Sequence, residues 1–307
     1  MRSLIPLMFH YVRNSDNSLP HSRHYEMSAF KNLIRYFQLS GYSLKTFTEY
    51  AEEPDDQTGS CVLTFDDGLA DHYNVAAYLH SQGIRATFYL ISLPYLESLV
   101  APVHLTQLCV ARYGNDILRL FSDYCQYNSI VIPEMDEVRV QKFRGIYNAY
   151  DTPSESALFK RIFNFYNISP YIESVLRGFS SCLGLPISVS DYYLTIDQII
   201  DIHRMGHEIG CHGHSHRPLS LLTEEEVHAE LSKSKHFFEN AIKSKLCSFC
   251  YPYGTESSFS LESIRILKGM GFKNACTAEH HSLLRGVLDD RMYQIPRLDI
   301  ASLSRFI

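Results

Sequence analysis

Short apolar runs alternate along this chain with amphipathic stretches of helical spacing, and that alternation constrains the fold more than any other feature. The runs are Leu4–Phe9, Cys61–Phe65, Ala86–Ile91, Glu208–Cys211, Ser248–Tyr251, Asn274–Thr277 and Gln294–Ile300. Helical periodicity falls between them, around 26–39, 70–82, 195–205, 223–243 and 259–270. Strands separated by helices imply a parallel sheet, open or closed into a barrel, with its chemistry at the C-terminal strand ends. The stretch TIDQIIDIHRMGHEIGCH illustrates the unit: Thr195 as N-cap, a helix, a stop at Gly206, then a strand. From about 92 to 192 the alternation breaks into aromatic, mostly helical sequence. The expectation from these elements is an α/β fold with about seven parallel strands, open or closed into a barrel, and an insertion over 92–192 that could cover a site or bind substrate.

Composition narrows the function classes. A chain of 307 residues can bury a large core. Its net charge of −6 and lack of any Lys/Arg run argue against a nucleic-acid partner. Tyr (21) and Phe (18) are abundant, and core packing is the ordinary use of such rings. No run approaches the ~20 apolar residues of a membrane span. The N-terminal run is short for a signal peptide and has no small-residue cleavage site, so it reads as the first strand. The eight Cys form no disulfide framework, and several sit in apolar strands as reduced thiols do, which leads to an expected cytoplasmic location. Cys247-Ser-Phe-Cys250 has the C-x-x-C spacing, but it opens no helix and has no second pair, so it reads as coincidence.

The chemistry gathers in VLTFDDGLADHY, where Asp66 and Asp67 end an apolar run. Neighbouring carboxylates resist joint ionisation. The pair is therefore either a turn and helix cap or two acids with different tasks at one site. Five histidines lie between 203 and 216. The zinc-protease spacing H-E-x-x-H fails, because residue 211 is Cys. His212-Gly-His-Ser-His216 remains, on a loop after a strand, where two imidazoles could chelate a metal with an oxygen from another strand.

LTFDDG, then GHEIGCHGHSH, then SFCYPYG together resemble the polysaccharide deacetylase family, carbohydrate esterase family four. Its hallmarks are T-F-D-D-G, H-x-x-x-H within G-H-E-I-G-x-H, and R-x-P-Y-G; IRATFYLI at 84–91 is also in the family's style. The resemblance covers about 60–91, 195–271 and the termini, roughly two-thirds of the chain, and the motifs are specific only in combination. It implies a distorted (β/α) barrel with about seven parallel strands, one catalytic domain over 1–307 with 92–192 inserted as a lid or substrate-binding region. It implies further that Asp67, His212 and His216 hold one divalent metal, Zn before Co, Ni, Mn or Fe, and that Asp66 is the catalytic base. It also implies an oxyanion-binding backbone N–H from Tyr253, with Pro252 and Tyr253 against substrate. Three protein ligands leave a coordination position open for water.

The chain departs from the pattern twice. The family often ends in L-x-L-H, whose His is the general acid; here LIPLMFHYV resembles that strand moved to the front, as in circularly permuted members. His10 is therefore assigned as the acid. Cys250 stands where R-x-P-Y-G has Arg, and Arg297 in QIPRLDI is expected to supply the guanidinium from another direction. The resemblance implies a hydrolase removing N-acetyl groups from a small or lipid-linked amino-sugar substrate. Its rivals are a deformylase or other linear or cyclic amide hydrolase, and a sugar-binding homologue without turnover.

Overall fold

The computed structural model describes residues 6–52, 59–147, 154–185, 188–278 and 288–300. Its strands are β1 (Leu7–Phe9), β2 (Ser43–Lys45), β3 (Ser60–Phe65), β4 (Thr87–Leu90), β5 (Glu208–Cys211), β6 (Ser248–Cys250), β7 (Asn274–Cys276) and β8 (Leu298–Asp299). They run parallel in the order β7-β6-β5-β4-β3-β1-β8, with β2 beside the first half of β3. Strand β2 was not anticipated. It is three residues long and partly exposed, which leaves little apolar pattern to read.

The last apolar run closes the sheet, and it is not one continuous strand. Ile295 bridges Cys276 of β7, whereas Leu298 and Asp299 pair with Leu7 and Met8 of β1. Pro296 between them has no N–H to give to a ladder. Both edges of the sheet thus meet on one segment, which makes the distorted barrel, and Arg297 sits at the seam.

Alternation along the strands sorts their side chains. Cys61, Leu63 and Phe65 pack with Phe30, Ile34, Val75 and Leu79 of the surrounding helices Met27–Leu39 and His72–Ser81. Val62 faces the other way, into a cluster with Tyr89, Cys250 and Cys276. Thr64 and Asp66 continue that inward period. The interior is tight: a Cβ on Gly210 would lie 2.4 Å from the Tyr89 ring. The helix Ile196–Arg204 carries the Thr195 capping box, and Glu224–Ile242 and Leu261–Gly269 complete the shell.

The chain divides into two compact units. The first, Met1–Asn14, His24–Glu97 and Ser190–Ile307, holds the sheet. The second joins Ser15–Arg23 to Ser98–Val189, so 92–97 and 190–192 of the expected insertion pack with the sheet. This second unit is mostly helical, with its own core of Phe121, Phe159, Phe163 and Phe179 rings in mutual contact. Among the described residues no helix is long and apolar enough to cross a membrane. All eight cysteines are free thiols, including Cys247 and Cys250.

Candidate metal centre and its carboxylate pair

The two acids part at the end of β3. Asp66 keeps the inward direction of Val62 and Thr64, and its N–H donates to Phe9 O at 3.0 Å. Asp67 adopts φ +80°, a left-handed conformation uncommon for any residue but glycine, and this turns its carboxylate elsewhere. His216 (φ +60°) and Tyr253 (φ +65°) share that unusual backbone. Three such residues, on the segments that follow β3, β5 and β6, are what an over-determined functional site holds in place. Gly254 next to Tyr253 has no room for a side chain, since a Cβ there would lie 2.3 Å from Ala278 N.

Asp67 Oδ1 lies 3.5 Å from His212 Nε2 and 3.3 Å from His216 Nε2, with all three residues buried. His212 Nδ1–H donates to Cys250 O at 2.7 Å, so Nε2 is the ring nitrogen left to face Asp67. The His216 ring stands edge-on to His212 and to Tyr253, with centroids 4.8 Å apart in each case. Separations of 3.3 and 3.5 Å are longer than a good hydrogen bond. They match the edge of a tetrahedron whose bonds are ~2.0–2.1 Å, the length of zinc bonds to imidazole and carboxylate. The donor set fits a divalent ion of that kind. Burial works to lower the His212 pKa, but the Asp67 and Asp66 carboxylates outweigh it and hold the imidazole above its ordinary value.

Asp66, His212 and Cys250 form a second group with ligand atoms in reach of one another. Arg297 excludes it as a cation site. The guanidinium takes both Asp66 oxygens, Nη1 to Oδ1 at 2.8 Å and Nη2 to Oδ2 at 2.7 Å. A metal ion there would face a buried positive charge. The remaining guanidinium hydrogens go to Thr64 Oγ1 (2.9 Å), Cys250 Sγ (3.0 Å) and, from Nε, Thr277 O (3.0 Å). All five donors of the fork are thereby used. Burial alone would raise the Asp66 pKa, but the charge and hydrogen bonds of Arg297 overcome it and bring the carboxyl to about 2. Burial also pushes the Cys250 thiol well up, so it stays neutral beside Asp66. Arg297 directly precedes β8 and reaches inward from the seam.

His10 follows β1, where Phe9 is in register with Phe65, so it leaves its strand level with Asp66. Its carbonyl accepts a 2.7 Å hydrogen bond from His72 Nε2–H. Burial lowers the His72 pKa, which keeps that imidazole neutral. Asp71 Oδ2 accepts from Val12 N–H at 2.8 Å, so the segment after β1 is held at two points. Pro252 and Tyr253 follow β6, with Tyr253 against His216. His214, between His212 and His216, points away from Asp67: its Nδ1 meets Ser92 Oγ at 2.9 Å and its Nε2 meets Glu97 Oε1 at 2.8 Å.

Two supporting residues were not read from the sequence. Thr64 lies two residues before Asp66 and so on the same strand face, a signal that was available. His72 sits within VLTFDDGLADHY, but nothing there reveals that its partner is a carbonyl 62 residues earlier.

The sequence profile of the polysaccharide deacetylase family matches residues 164–275, which carry His212, His216, Pro252 and Tyr253 but not Asp66 and Asp67. No curated protein sequence matches the chain. Among solved structures, the fold is similar to that of a Streptococcus pyogenes deacetylase, PplD, in complex with acetate, at 12% identity and a TM-score of 0.58, covering 97% of this chain and 92% of that one. It is similar to IcaB from Ammonifex degensii, at 14% identity and 0.57, covering 99% and 98%. It is also similar to the BpsB deacetylase domain from Bordetella bronchiseptica, at 14% and 0.52, covering 97% and 96%. The resemblance read from the motifs therefore stands, by sequence over 164–275 and by fold over nearly the whole chain.

Proposed function

We propose that this chain, a relative of the polysaccharide deacetylases, hydrolyses the N-acetyl group of an amino-sugar substrate at the site formed by Asp66, Asp67, His212 and His216. One observation carries the reading: adjacent carboxylates have opposite partners, Asp67 between two imidazole Nε2 atoms and Asp66 locked to Arg297. A turn or cap would need neither arrangement.

Asp67, His212 and His216 would hold a divalent ion, zinc by preference. When bound, such an ion supplies Lewis acidity, acidifying water and polarising an acyl carbonyl. The other steps belong to the chain. Asp66, ionised at neutral pH, accepts a proton from water as its oxygen adds to the acyl carbon. Arg297 keeps that carboxylate aimed through paired, charge-assisted bonds. The Tyr253 N–H stabilises the developing oxyanion. His10 gives a proton to the amine nitrogen as the C–N bond breaks, leaving a carboxylic acid and a free amine. This role for His10 makes the chain a permuted member of the family, with the acid on the first strand. Residues 92–192 would select the substrate, whether small or lipid-linked.

The test is acetate or formate release, with added zinc or cobalt, across a panel of N-acylated amino sugars. Acetate release that disappears in Asp66→Asn supports the proposal. Formate release alone favours the deformylase reading, and sugar binding without either product favours a homologue without turnover.

A further inference from the structure

A charged residue lies on the apolar stripe of the helix Glu224–Ile242. Val227, Leu231, Ser234 and Phe238 of that stripe are buried, and Glu230 is buried with them at 8% exposure. Its partners explain the placement. Glu230 Oε1 accepts the backbone N–H of His214 at 3.0 Å and the backbone N–H of Ser215. The Ser215 hydroxyl lies 2.9 Å from Oε1 and 3.0 Å from Oε2. The carboxylate also fits beneath Gly213, where a Cβ would come within 3.3 Å of Oε1. It thus grips the loop midway between His212 and His216.

We propose that Glu230 is a positioning residue for the metal centre, setting the placement of His216 by holding the backbone of His214 and Ser215. The proposal rests on the reading of Asp67, His212 and His216 as metal ligands. His216 follows the gripped residues directly and has φ +60°, a conformation that persists only where its surroundings over-determine it. Groups just outside a ligand set fix how its members are oriented. A carboxylate suits the task because it is acceptor-only and can take all these donors at once. A glutamine could keep its one oxygen on both backbone N–H groups, with its amide facing the Ser215 hydroxyl, which can turn to accept. The His214 ring is tied separately, to Ser92 and Glu97, so losing it leaves the backbone grip intact.

Affinity for metal, read without turnover, tests this on the full chain. Zn(II) dissociation constants come from competition with a chromophoric chelator, and the Co(II) d–d spectrum reports ligand geometry. Glu230→Ala is expected to weaken Zn(II) binding by about 10- to 100-fold and to alter the Co(II) bands, and Glu230→Gln, which can keep an oxygen on both backbone N–H groups, to recover most of that affinity. His214→Ala should stay within about three-fold of wild type in the same assay, because it removes no backbone contact. Ser215→Ala, which keeps both backbone bonds, should fall between them and serves where the Glu230 variants do not fold. A Glu230→Ala variant that melts like wild type in the absence of metal yet keeps its Zn(II) affinity and Co(II) spectrum would overturn the proposal. A wild-type chain that binds neither ion would overturn the metal reading itself, and this proposal with it.

Discussion

On one side of the carboxylate pair, Asp67 leaves β3 through a left-handed residue and meets two imidazoles on the loop after β5. On the other, Asp66 continues the inward face of β3 and meets Arg297 at the seam where the sheet closes. One peptide bond separates the two, and their partners differ in kind. Asp67 faces the Nε2 atoms of two imidazoles. Asp66 faces a buried cation that occupies both of its oxygens. The like-charge problem of adjacent acids is solved separately on each side. An ion-pair partner neutralises one, and a site for a divalent ion would neutralise the other.

The largest effect should come from breaking the Asp67 side. Asp67→Ala, His212→Ala and His216→Ala should each lose bound metal, since a three-ligand site tolerates little loss. Turnover should fall by more than the ~10²–10⁴-fold expected from removing an acid or base. Elemental analysis beside acetate release checks both. A His216 variant that keeps stoichiometric metal would show that the ligand set is wrong.

Breaking the Asp66 side should leave metal in place. Asp66→Asn is expected to cost ~10²–10⁴ in kcat. Arg297→Ala should leave a buried carboxylate unpaired, at about 3–5 kcal/mol of stability. The double variant sharpens the point: if the two residues act as one unit, it should turn over little worse than Asp66→Asn alone. Independent multiplication of the two losses would separate Arg297 from the base. His10→Asn belongs on this side too, with metal retained and kcat reduced ~10²–10⁴-fold. Near wild-type turnover would reduce His10 to a structural residue.

His214 tests whether proximity to the ligands matters by itself. His214→Ala should retain metal but lose about 1–3 kcal/mol, because buried Ser92 loses its imidazole partner. Urea unfolding and metal content measured together distinguish it from His216→Ala.

The smallest effect concerns acid. His207 accepts from Ala86 N–H and donates to Ala76 O, and burial lowers its pKa to about 4. The unfolded chain takes up a proton near the ordinary value of 6.5 while the native imidazole does not. Stability should therefore fall as pH drops from 6.5 toward 4, and His207 should contribute nothing further below that. Asp66 acts in the next window: with a native pKa of about 2 against an ordinary 3.8, its contribution is present above 3.8 and lost as pH falls through about 2. The unfolding free energy of metal-free His207→Gln should be lower overall, with a shallower slope between pH 6.5 and 4. An unchanged slope would remove His207 from the account.

Much of this site is local enough to be read along the chain. Asp66 and Asp67 end an apolar run before a glycine, and His212 and His216 lie on the loop after the strand Glu208–Cys211. Most strand and helix positions follow from runs and periods that a few residues reveal. Glu230 left a signal too, a carboxylate on an otherwise apolar helical stripe, but the stripe does not say what it holds. The C-terminal segment shows the limit. An apolar run with Pro296 inside it looks like one strand, and only the curvature of the sheet makes it span two.

The sequence by itself determined the parallel αβ alternation, the inward period of Val62, Thr64 and Asp66, and the residue types able to bind a metal. These depend on backbone periodicity and side-chain chemistry, which act over a few residues. Only the tertiary structure decided that Arg297 reaches Asp66 across 231 positions, that Cys250 takes a guanidinium hydrogen, and that His214 turns from the site while His216 turns toward it. Those outcomes depend on where the barrel closes and on the backbone angles its loops are held in. Long-range packing sets both.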